Sequence, residues 1–215
     1  MILSTGRNYV FIHIPKTGGT ALALALEDRA MKDDIMLGDT PKSKRRRHRI
    51  KGAQSRGRLW KHSTLADIEG LVDKDVLAGL FTFTLVRNPW DRAVSYYHWL
   101  RGQRFKHSAV DLAQTLSFGD FVTHELICAS FRSYPAGRYM RGSDGVEHCD
   151  AFIRIEHFEQ DCTPLVDHLG FDLAIQIANA SEREFDFRPY YTEKTADLIA
   201  DCCAVDIARF TYSFE

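Results

Sequence analysis

The chain has 215 residues, 45% of them apolar, which is enough for one sizeable hydrophobic core and leaves little room for a second domain. Its formal net charge of −1 argues against a protein that binds nucleic acid through its overall field. The five cysteines are odd in number and form no C-x-x-C pair, so we expect reduced thiols in a cytoplasmic protein. No apolar run reaches the ~18 residues of a membrane span, and a strand is predicted directly after the first four residues, so we expect neither a membrane span nor a signal peptide.

The first predicted element is a strand that turns sharply into a helix. Residues 9–14 are almost continuously apolar, which is typical of a parallel strand buried on both faces. Pro15 ends the strand because it cannot donate to a ladder. Gly18 and Gly19 allow a tight turn whose N–H groups can approach an anion, and the apolar residues 21–26 follow as a helix.

The segment P-K-T-G-G-T at residues 15–20 therefore has the composition of an anion-binding turn. Lys16 supplies a point charge and Thr20 a hydroxyl at the start of a helix, where unpaired N–H groups also favour negative charge. The nucleotide-triphosphatase loop G-x-x-x-x-G-K-[ST] is the obvious rival. That motif does not match this sequence, because the lysine here precedes the glycines and no Gly-Lys-Ser/Thr occurs.

A strongly basic stretch, residues 42–58, comes next in the chain. Two interpretations stay open. It is either a solvated, mobile loop, as most runs of like charge are, or a segment that binds or gates an anionic ligand. His62 follows within L-W-K-H-S-T at residues 59–64, just before an amphipathic stretch at 65–72.

The second predicted strand-to-helix turn begins after the β-rich residues 81–86. Asn88 stands where a helix N-cap is expected and Pro89 where the first helical residue is expected. Arg87 then lies at the carboxyl end of a strand, where open α/β sheets bind ligands. Ser95 comes about two turns into the helix, and a guanidinium with a hydroxyl is a good receptor for a terminal phosphate.

The remaining pattern predicts a helix over 118–130, a strand over 151–155 and a helix that ends at 169–170. Strands that alternate with helices predict an α/β fold with three layers and a mainly parallel central sheet, related to P-loop nucleotide-binding domains. We expect one domain over residues 1–215, with 42–58 as a basic loop within it.

The two turns together, P-K-T-G-G-T and R-N-P-x-x-R-x-x-S-x-Y at residues 87–97, closely resemble the sulfotransferases that use 3′-phosphoadenosine-5′-phosphosulfate (PAPS). The sequence is most similar to the carbohydrate branch of the family, which contains the heparan-sulfate-2-O-sulfotransferase-like enzymes. Within this branch it resembles the bacterial type. The resemblance extends over nearly the whole chain, and residues 42–58 and 101–117 are the least covered. Residues 179–212 resemble the closing helix of this family. In this family the first motif is the 5′-phosphosulfate loop and the second holds the 3′-phosphate.

The resemblance implies a role for each matching residue. Lys16 would stabilise the bridging oxygen that leaves, and the 5′-phosphate would be held by Thr17, Gly18, Gly19 and Thr20. Arg87 and Ser95 would hold the 3′-phosphate. The R-K-G segment that assists there in cytosolic small-molecule sulfotransferases is missing, and Arg183 is a candidate substitute. No metal is expected, because lysine and backbone N–H groups supply the positive charge.

The transfer also needs a general base, which we expect to be a histidine or glutamate whose pKa lies near the working pH. Among nine histidines, His62 has a K-H-x-T setting that resembles the segment carrying the catalytic histidine in the carbohydrate branch. His13 is the main competitor, but its place in the first predicted strand favours a structural role. His98 lies in an aromatic helix and is also expected to be structural.

The predicted function is therefore transfer of a sulfonate from PAPS to a hydroxyl, with a carbohydrate or glycoconjugate, either neutral or anionic, as the acceptor. Animal carbohydrate sulfotransferases usually carry an N-terminal Golgi anchor, and the expected absence of one predicts a cytoplasmic enzyme. Two alternatives stay open: a non-catalytic nucleotide- or polyanion-binding protein on the same fold, and a P-loop-like kinase. The sequence leaves the acceptor's identity and the oligomeric state open.

Overall fold

The computed structural model describes residues 1–175 and 183–215. These residues form two compact units. The first unit contains residues 1–86 and 136–175, and the second contains residues 87–135 and 183–215. The expectation of a single domain over residues 1–215 stays a prediction.

The first unit is built on a five-stranded sheet. Its strands are β1 (Ile2–Ser4), β2 (Tyr9–Ile12), β3 (Ile35–Met36), β4 (Phe81–Val86) and β5 (Ala151–Arg154). They are ordered β3-β1-β2-β4-β5 in the sheet. β1 is antiparallel to both of its neighbours, whereas β2, β4 and β5 are mutually parallel. Four of these five strands therefore point in one direction, and β2 and β4 end at the same edge of the sheet.

Helices make up most of the rest of the described chain. In chain order the α-helices are α1 (Gly19–Asp28), α2 (Pro41–Arg46), α3 (Leu65–Ile68), α4 (Lys74–Ala78), α5 (Pro89–Arg101), α6 (Ser108–Thr115), α7 (Phe118–Thr123), α8 (Glu125–Ser133), α9 (Ala136–Tyr139), α10 (Phe158–Asp161), α11 (Thr163–Leu169), α12 (Glu193–Cys202) and α13 (Ala204–Phe210). Short 3₁₀ helices occur at Arg47–Ile50, Ile155–His157 and Arg188–Tyr190. The predicted α/β fold with a mainly parallel central sheet is confirmed.

Both faces of the central strands are buried, as their continuous apolar pattern predicts. Phe11 of β2 and Phe83 of β4 lie in one core cluster with Leu22 of α1 and Leu165 of α11. Thr84 is also fully buried, and its hydroxyl donates to the carbonyl of Ile12 at 2.7 Å. Helices α1 and α11 thus pack against the sheet, and the first turn follows the end of strand β2.

The second unit is a group of helices packed around α5. Its core combines residues of α5, α7, α8 and α12, with Phe121 fully buried. The indole N–H of Trp90 donates to the carbonyl of Ala196 in α12 at 2.9 Å, and the Tyr97 hydroxyl donates to the carbonyl of Leu116 at 2.8 Å. Both bonds satisfy the polar end of an otherwise buried aromatic side chain.

Several predicted boundaries differ from those of the structure. β2 ends at Ile12 rather than at residue 14, because residues 13–18 form the turn. The predicted helix over 118–130 is two helices, α7 and α8. His124 interrupts it with extended backbone (φ −68°, ψ 132°), and its Nδ1 accepts the N–H of Leu126 at 3.2 Å, which caps α8.

The basic stretch 42–58 is not a loop throughout. Its first part lies in α2 and in the 3₁₀ helix Arg47–Ile50. The Thr40 hydroxyl accepts the N–H of Ser43 at 3.1 Å, and Pro41 occupies the first turn of α2, so this end has both of the usual helix-start residues. Most of residues 42–50 are therefore helical, and the role of the whole stretch 42–58 stays a prediction.

The predicted segment at 179–181 lies outside the described residues. Helices α12 and α13 occupy the region where closing helices are expected. In residues 1–175 and 183–215, no helix combines the length and the apolar character needed to cross a membrane.

Candidate active site

The turn between β2 and α1 has the backbone of an anion-binding site. Lys16 and Gly18 both have positive φ angles, 67° and 79°, so the chain curls back on itself before α1 begins. Successive N–H groups in such a curl converge on one point, and the ten-residue helix adds the partial charge of its N-terminus. Thr17 is buried and its hydroxyl donates to the carbonyl of Ile14 at 2.9 Å. Thr17 therefore stabilises the turn with its side chain and can offer a ligand its backbone N–H.

Gly19 is required for a different reason. A Cβ placed on Gly19 would lie 2.2 Å from Cδ2 of His13, which is far inside van der Waals contact. The His13 ring thus packs directly on the Gly19 backbone, and it also stacks on Phe11 with a centroid separation of 5.8 Å. His13 is buried, and its pKa lies well below 6.5, mainly because burial disfavours the charged ring and additionally because cationic groups including Lys16 are near. His13 lies one residue beyond β2, in the turn rather than inside the strand where the sequence analysis placed it, and its structural role stays a prediction.

His62 lies beside His13, with ring centroids 4.7 Å apart. Its Nδ1 is 2.7 Å from the carbonyl oxygen of His13. A carbonyl oxygen can only accept, so Nδ1 carries the hydrogen and Nε2 of the neutral ring carries the lone pair. This tautomer is the one that a general base acting through Nε2 needs.

The pKa of His62 is lowered from 6.5 to about 3. Burial is the largest cause and the charge of Lys61 lowers it further, against the hydrogen bond to the His13 carbonyl, which raises it. Burial therefore holds the pKa of His62 below the range expected for a general base. The ring is neutral at pH 7, and an anion bound nearby would raise its pKa.

In the second unit, Asp91 lies between two arginines. Nε of Arg87 is 2.8 Å from Oδ2 of Asp91, and Nη2 is 2.6 Å from the same oxygen. Arg183 pairs with the other carboxylate oxygen, Oδ1. The three side chains are only 10–17% exposed, which fixes the two guanidiniums on one carboxylate and leaves the cluster with a net charge of about +1.

The start of α5 has the predicted cap. Oδ1 of Asn88 accepts the N–H of Trp90 at 3.1 Å, and Pro89 stands in the first turn, so both predictions are confirmed. Ser95 lies one turn beyond Asp91 on α5 and is 4% exposed. Four-residue intervals separate Arg87, Asp91 and Ser95. This is the spacing of neighbours on one face of a helix, and Arg87 lies just before α5 begins.

Part of the basic stretch is hydrogen-bonded to the last turn of α1 and to the segment that follows this helix. Lys42 donates through Nζ to the carbonyl of Glu27, Arg46 donates to the carbonyl of Met31 at 2.7 Å, and Arg49 donates to the carbonyl of Lys32. Cations at a helix C-terminus are stabilising. The exposed cations of the stretch include Lys44, Arg45, Arg47, Lys51, Arg56 and Arg58.

The structure thus collects the sequence-predicted residues into two groups, one in each unit. The first unit holds Lys16, Thr17, Gly18, Gly19 and Thr20 together with His62, and the second holds Arg87, Ser95 and Arg183. Sequence reasoning missed Asp91, although its four-residue spacing from Arg87 was a usable signal. It also missed the packing of His13 on Gly19, for which the sequence carries no signal. Within the described residues, no group of three or more His, Cys, Asp or Glu side chains could hold a metal ion.

Comparison with known proteins was made at three levels. No curated protein sequence matches the chain at a significant level. Among solved structures, the crystal structure of mouse sulfotransferase SULT7A1 complexed with PAP is similar, with a TM-score of 0.47 and 19% sequence identity over 95% of this chain and 85% of that chain. The model of a family described as the sulfotransferase family matches residues 1–188. That match covers most of the sequence, and the chain therefore belongs to the sulfotransferase family.

Proposed function

We propose that the protein transfers a sulfonate group from PAPS to a hydroxyl of a carbohydrate or glycoconjugate. The observation that carries the proposal is the fixed tautomer of His62, whose Nδ1–H is bound by the His13 carbonyl at 2.7 Å. It leaves Nε2 as a proton acceptor in the same unit as the anion-binding turn at residues 15–20. A protein that only binds nucleotide has no need for a neutral imidazole held in one tautomer.

The donor's 5′ end would be bound by the turn before α1. The curled backbone at 16–18 offers N–H groups, and Thr20 offers a hydroxyl in the first turn of the helix. Lys16 would stabilise the negative charge that develops on the bridging oxygen as the sulfur–oxygen bond breaks. The resemblance to PAPS-dependent enzymes supports this assignment, and the positive φ of Lys16 and Gly18 supports it independently.

The 3′-phosphate would be bound by Arg87 and Ser95, with Arg183 as a second guanidinium. The shared pairing with Asp91 supports a role for Arg183 next to Arg87. Two arginines on one carboxylate keep a net positive charge, which favours a phosphate dianion beside them.

His62 would take the proton of the acceptor hydroxyl on Nε2 while the acceptor oxygen forms its bond to sulfur. The products are a sulfate ester, the spent donor 3′-phosphoadenosine-5′-phosphate (PAP), and one proton that leaves from His62. Burial lowers the pKa of His62 to about 3, and the negative charge of a bound donor would raise this pKa and make the ring a stronger base. Cytoplasmic location and the acceptor's charge stay predictions.

The test separates binding from chemistry. Calorimetry with PAP and with ATP, each with and without a chelator, should show magnesium-independent binding that favours PAP. Arg87→Ala should weaken PAP binding by about 1.5–3 kcal/mol, the range for hydrogen bonds to charged groups. His62→Ala should retain PAP binding and lose turnover with PAPS by about 10²-fold or more. A preference for ATP would favour the kinase alternative, and PAP binding without any turnover of wild-type protein would favour the non-catalytic one.

A further inference from the structure

The segment that follows α13, residues 211–215, is bonded to the start of α5. Thr211 has a φ angle of 54° and a ψ angle of 38°, a left-handed conformation that is uncommon for a β-branched residue. Such a conformation persists where the contacts around it hold the chain. One of these contacts is the bond from Nδ2 of Asn88 to the carbonyl of Ser213, at 2.9 Å. Because Oδ1 of the same amide accepts the N–H of Trp90, the cap of α5 is also the anchor of this segment.

The ring of Phe214 lies in a cluster of aromatic side chains. Its centroid is 5.6 Å from that of Trp90, 5.7 Å from that of Phe187 and 5.5 Å from that of Tyr191. The interplanar angles are 73°, 74° and 87°, which is the edge-to-face arrangement that aromatic pairs favour. Phe214 therefore joins the first turn of α5 to the segment that contains Phe187 and Tyr191.

Tyr191 is also bonded to α5 directly. Its hydroxyl donates to the carbonyl of Trp90 at 2.8 Å. The pKa of Tyr191 is raised well above 10, mainly by burial, and the charges of Asp91 and Arg183 act on it in opposite directions. Phe214 thus packs on a ring whose hydroxyl lies near the ion pair of Asp91 and Arg183.

A short series of bonds connects Arg183 to the residues of this cluster. Nη1 of Arg183 donates to the carbonyl of Glu184 at 3.2 Å, and the N–H of Glu184 donates to the Tyr190 hydroxyl at 3.4 Å. The side chain of Arg183 is 10% exposed and pairs with Oδ1 of Asp91. Arg183 and the aromatic cluster therefore belong to one bonded segment, residues 183–191.

We propose that Phe214 is a positioning residue for the donor nucleotide. Its ring holds residues 183–191 against α5, and the bond between Asn88 and Ser213 holds the ring in place. The guanidinium of Arg183 thereby stays beside Asp91, where the 3′-phosphate of PAPS would bind. This inference rests on the proposed function, because it assigns the residues that prepare the 3′-phosphate site for the same reaction.

A purely structural role for Phe214 makes a different prediction. Loss of a half-buried ring that only stabilises the unit would lower its stability and would not select between nucleotides. A ring that acts through Arg183 instead affects a nucleotide with a 3′-phosphate more than one without it. Its effect should also disappear when Arg183 is absent. The two roles are therefore separated by nucleotide selectivity and by a double-mutant cycle.

The first experiment measures the dissociation constants of PAP and of adenosine 5′-monophosphate (AMP), which is PAP without its 3′-phosphate, by calorimetry. Phe214→Ala should weaken PAP binding about fivefold to tenfold and AMP binding less than about twofold, because a displaced guanidinium loses part of a charge-assisted hydrogen bond. Phe214→Leu, which keeps an apolar side chain, should show a smaller loss of PAP binding. Asn88→Ser keeps a helix cap but loses the donor to Ser213, and it should act in the same direction as Phe214→Ala.

The matched control is Val110→Ala. Val110 is 2% exposed and lies in α6 of the same unit, so its truncation should lower the melting temperature. The ratio of the PAP and AMP dissociation constants should not change in this variant. A thermal unfolding curve of each variant shows how much stability is lost, and the comparison with Val110→Ala separates lost stability from lost selectivity.

The second experiment is the double-mutant cycle. Arg183→Ala should weaken PAP binding about tenfold or more, as expected for loss of a hydrogen bond to a charged group. Phe214→Ala added to Arg183→Ala should change the PAP dissociation constant less than about twofold, because residues that act through one another are not additive. Losses of PAP affinity that multiply in the double variant would overturn the inference.

The remaining outcomes separate this inference from the proposed function. If Phe214→Ala and Phe214→Leu weaken PAP and AMP equally, or leave PAP binding unchanged, the positioning role is wrong and the proposed function stands. If Arg183→Ala leaves PAP binding unchanged, the assignment of Arg183 fails and this inference fails with it, although PAPS could still be the donor. If the wild-type protein binds no PAP, the proposed function itself fails.

Discussion

Replacing Asp91 with asparagine removes the negative charge that lies between Arg87 and Arg183 in the second unit. The three side chains are 14%, 17% and 10% exposed for Arg87, Asp91 and Arg183, so solvent replaces the lost carboxylate poorly. Breaking a buried ion pair from one side costs about 3–5 kcal/mol, and the partial exposure and the remaining amide oxygen reduce this to about 2–3 kcal/mol. Loss of an acidic residue from the first turn of α5 adds about 0.3–1 kcal/mol.

We therefore expect Asp91→Asn to lower the free energy of unfolding by about 2–4 kcal/mol, measured by urea unfolding followed by circular dichroism. Asp111→Asn is the matched control, because Asp111 is exposed and also lies in the first turn of a helix, α6. Its cost should be about 0.3–1 kcal/mol. Equal losses in the two variants would refute the argument that Asp91 is the shared counter-ion of two arginines.

The same variant tests the role proposed for the cluster. PAP carries a 3′-phosphate and ADP does not, so PAP should restore more of the stability lost in Asp91→Asn than ADP does at equal concentration. We expect the difference to exceed about 1 kcal/mol, the usual net worth of one hydrogen bond. Equal restoration by PAP and ADP would show that the 3′-phosphate does not reach Arg87 and Arg183.

Two further predictions concern the first unit. His62 is neutral when folded, with its pKa lowered to about 3, and takes up a proton near pH 6.5 when unfolded. Stability should therefore fall as the pH falls below 6.5, and His62 should contribute up to about 1.4 kcal/mol per pH unit to this slope, beside the contribution of His13. His62→Gln should make the slope shallower in urea unfolding at pH 7, 6 and 5. Parallel pH profiles for the two proteins would contradict the lowered pKa. In the basic stretch, Arg45→Ser with Arg47→Ser should raise the KM of an anionic acceptor and flatten its salt dependence, with no change in the donor KM. Arg46→Ser should instead lower the melting temperature, because Arg46 donates to the carbonyl of Met31. If the acceptor KM changes neither with the substitutions of Arg45 and Arg47 nor with salt, the basic stretch has no role in acceptor binding.

The fold and both turns could be predicted because their patterns are local. The run of apolar residues in β4 has the bounds that the sequence gives for a buried strand, and the Asn88-Pro89 pair has the expected capping geometry. Each depends on residues adjacent in the chain, whose preferences are set by backbone sterics and by unpaired N–H groups.

The electrostatics of the site could not be predicted, because they depend on residues far apart in the chain. Arg183 reaches Asp91 across 92 positions, and the pKa of His62 depends on its burial and on the carbonyl of His13, 49 positions away. The composition of residues 42–58 left two interpretations open, a solvated mobile loop and a segment that binds an anionic ligand. In the structure, Lys42 donates to the carbonyl of Glu27 in the last turn of α1, and Arg46 and Arg49 donate to carbonyls of the segment after it. Charge counting does not reveal these bonds.

The packing of His13 on Gly19 has a consequence for how this site tolerates change. The His13 side chain supports the turn proposed to bind the donor, whereas its main-chain carbonyl sets the tautomer of the proposed base. A smaller residue at position 13 would make room for a side chain at position 19, so the two positions are coupled in size and should vary together. The hold on His62 would persist through such exchanges, because every amino acid carries the same carbonyl. Exchanges at positions 13 and 19 would therefore change donor affinity without changing the orientation of His62.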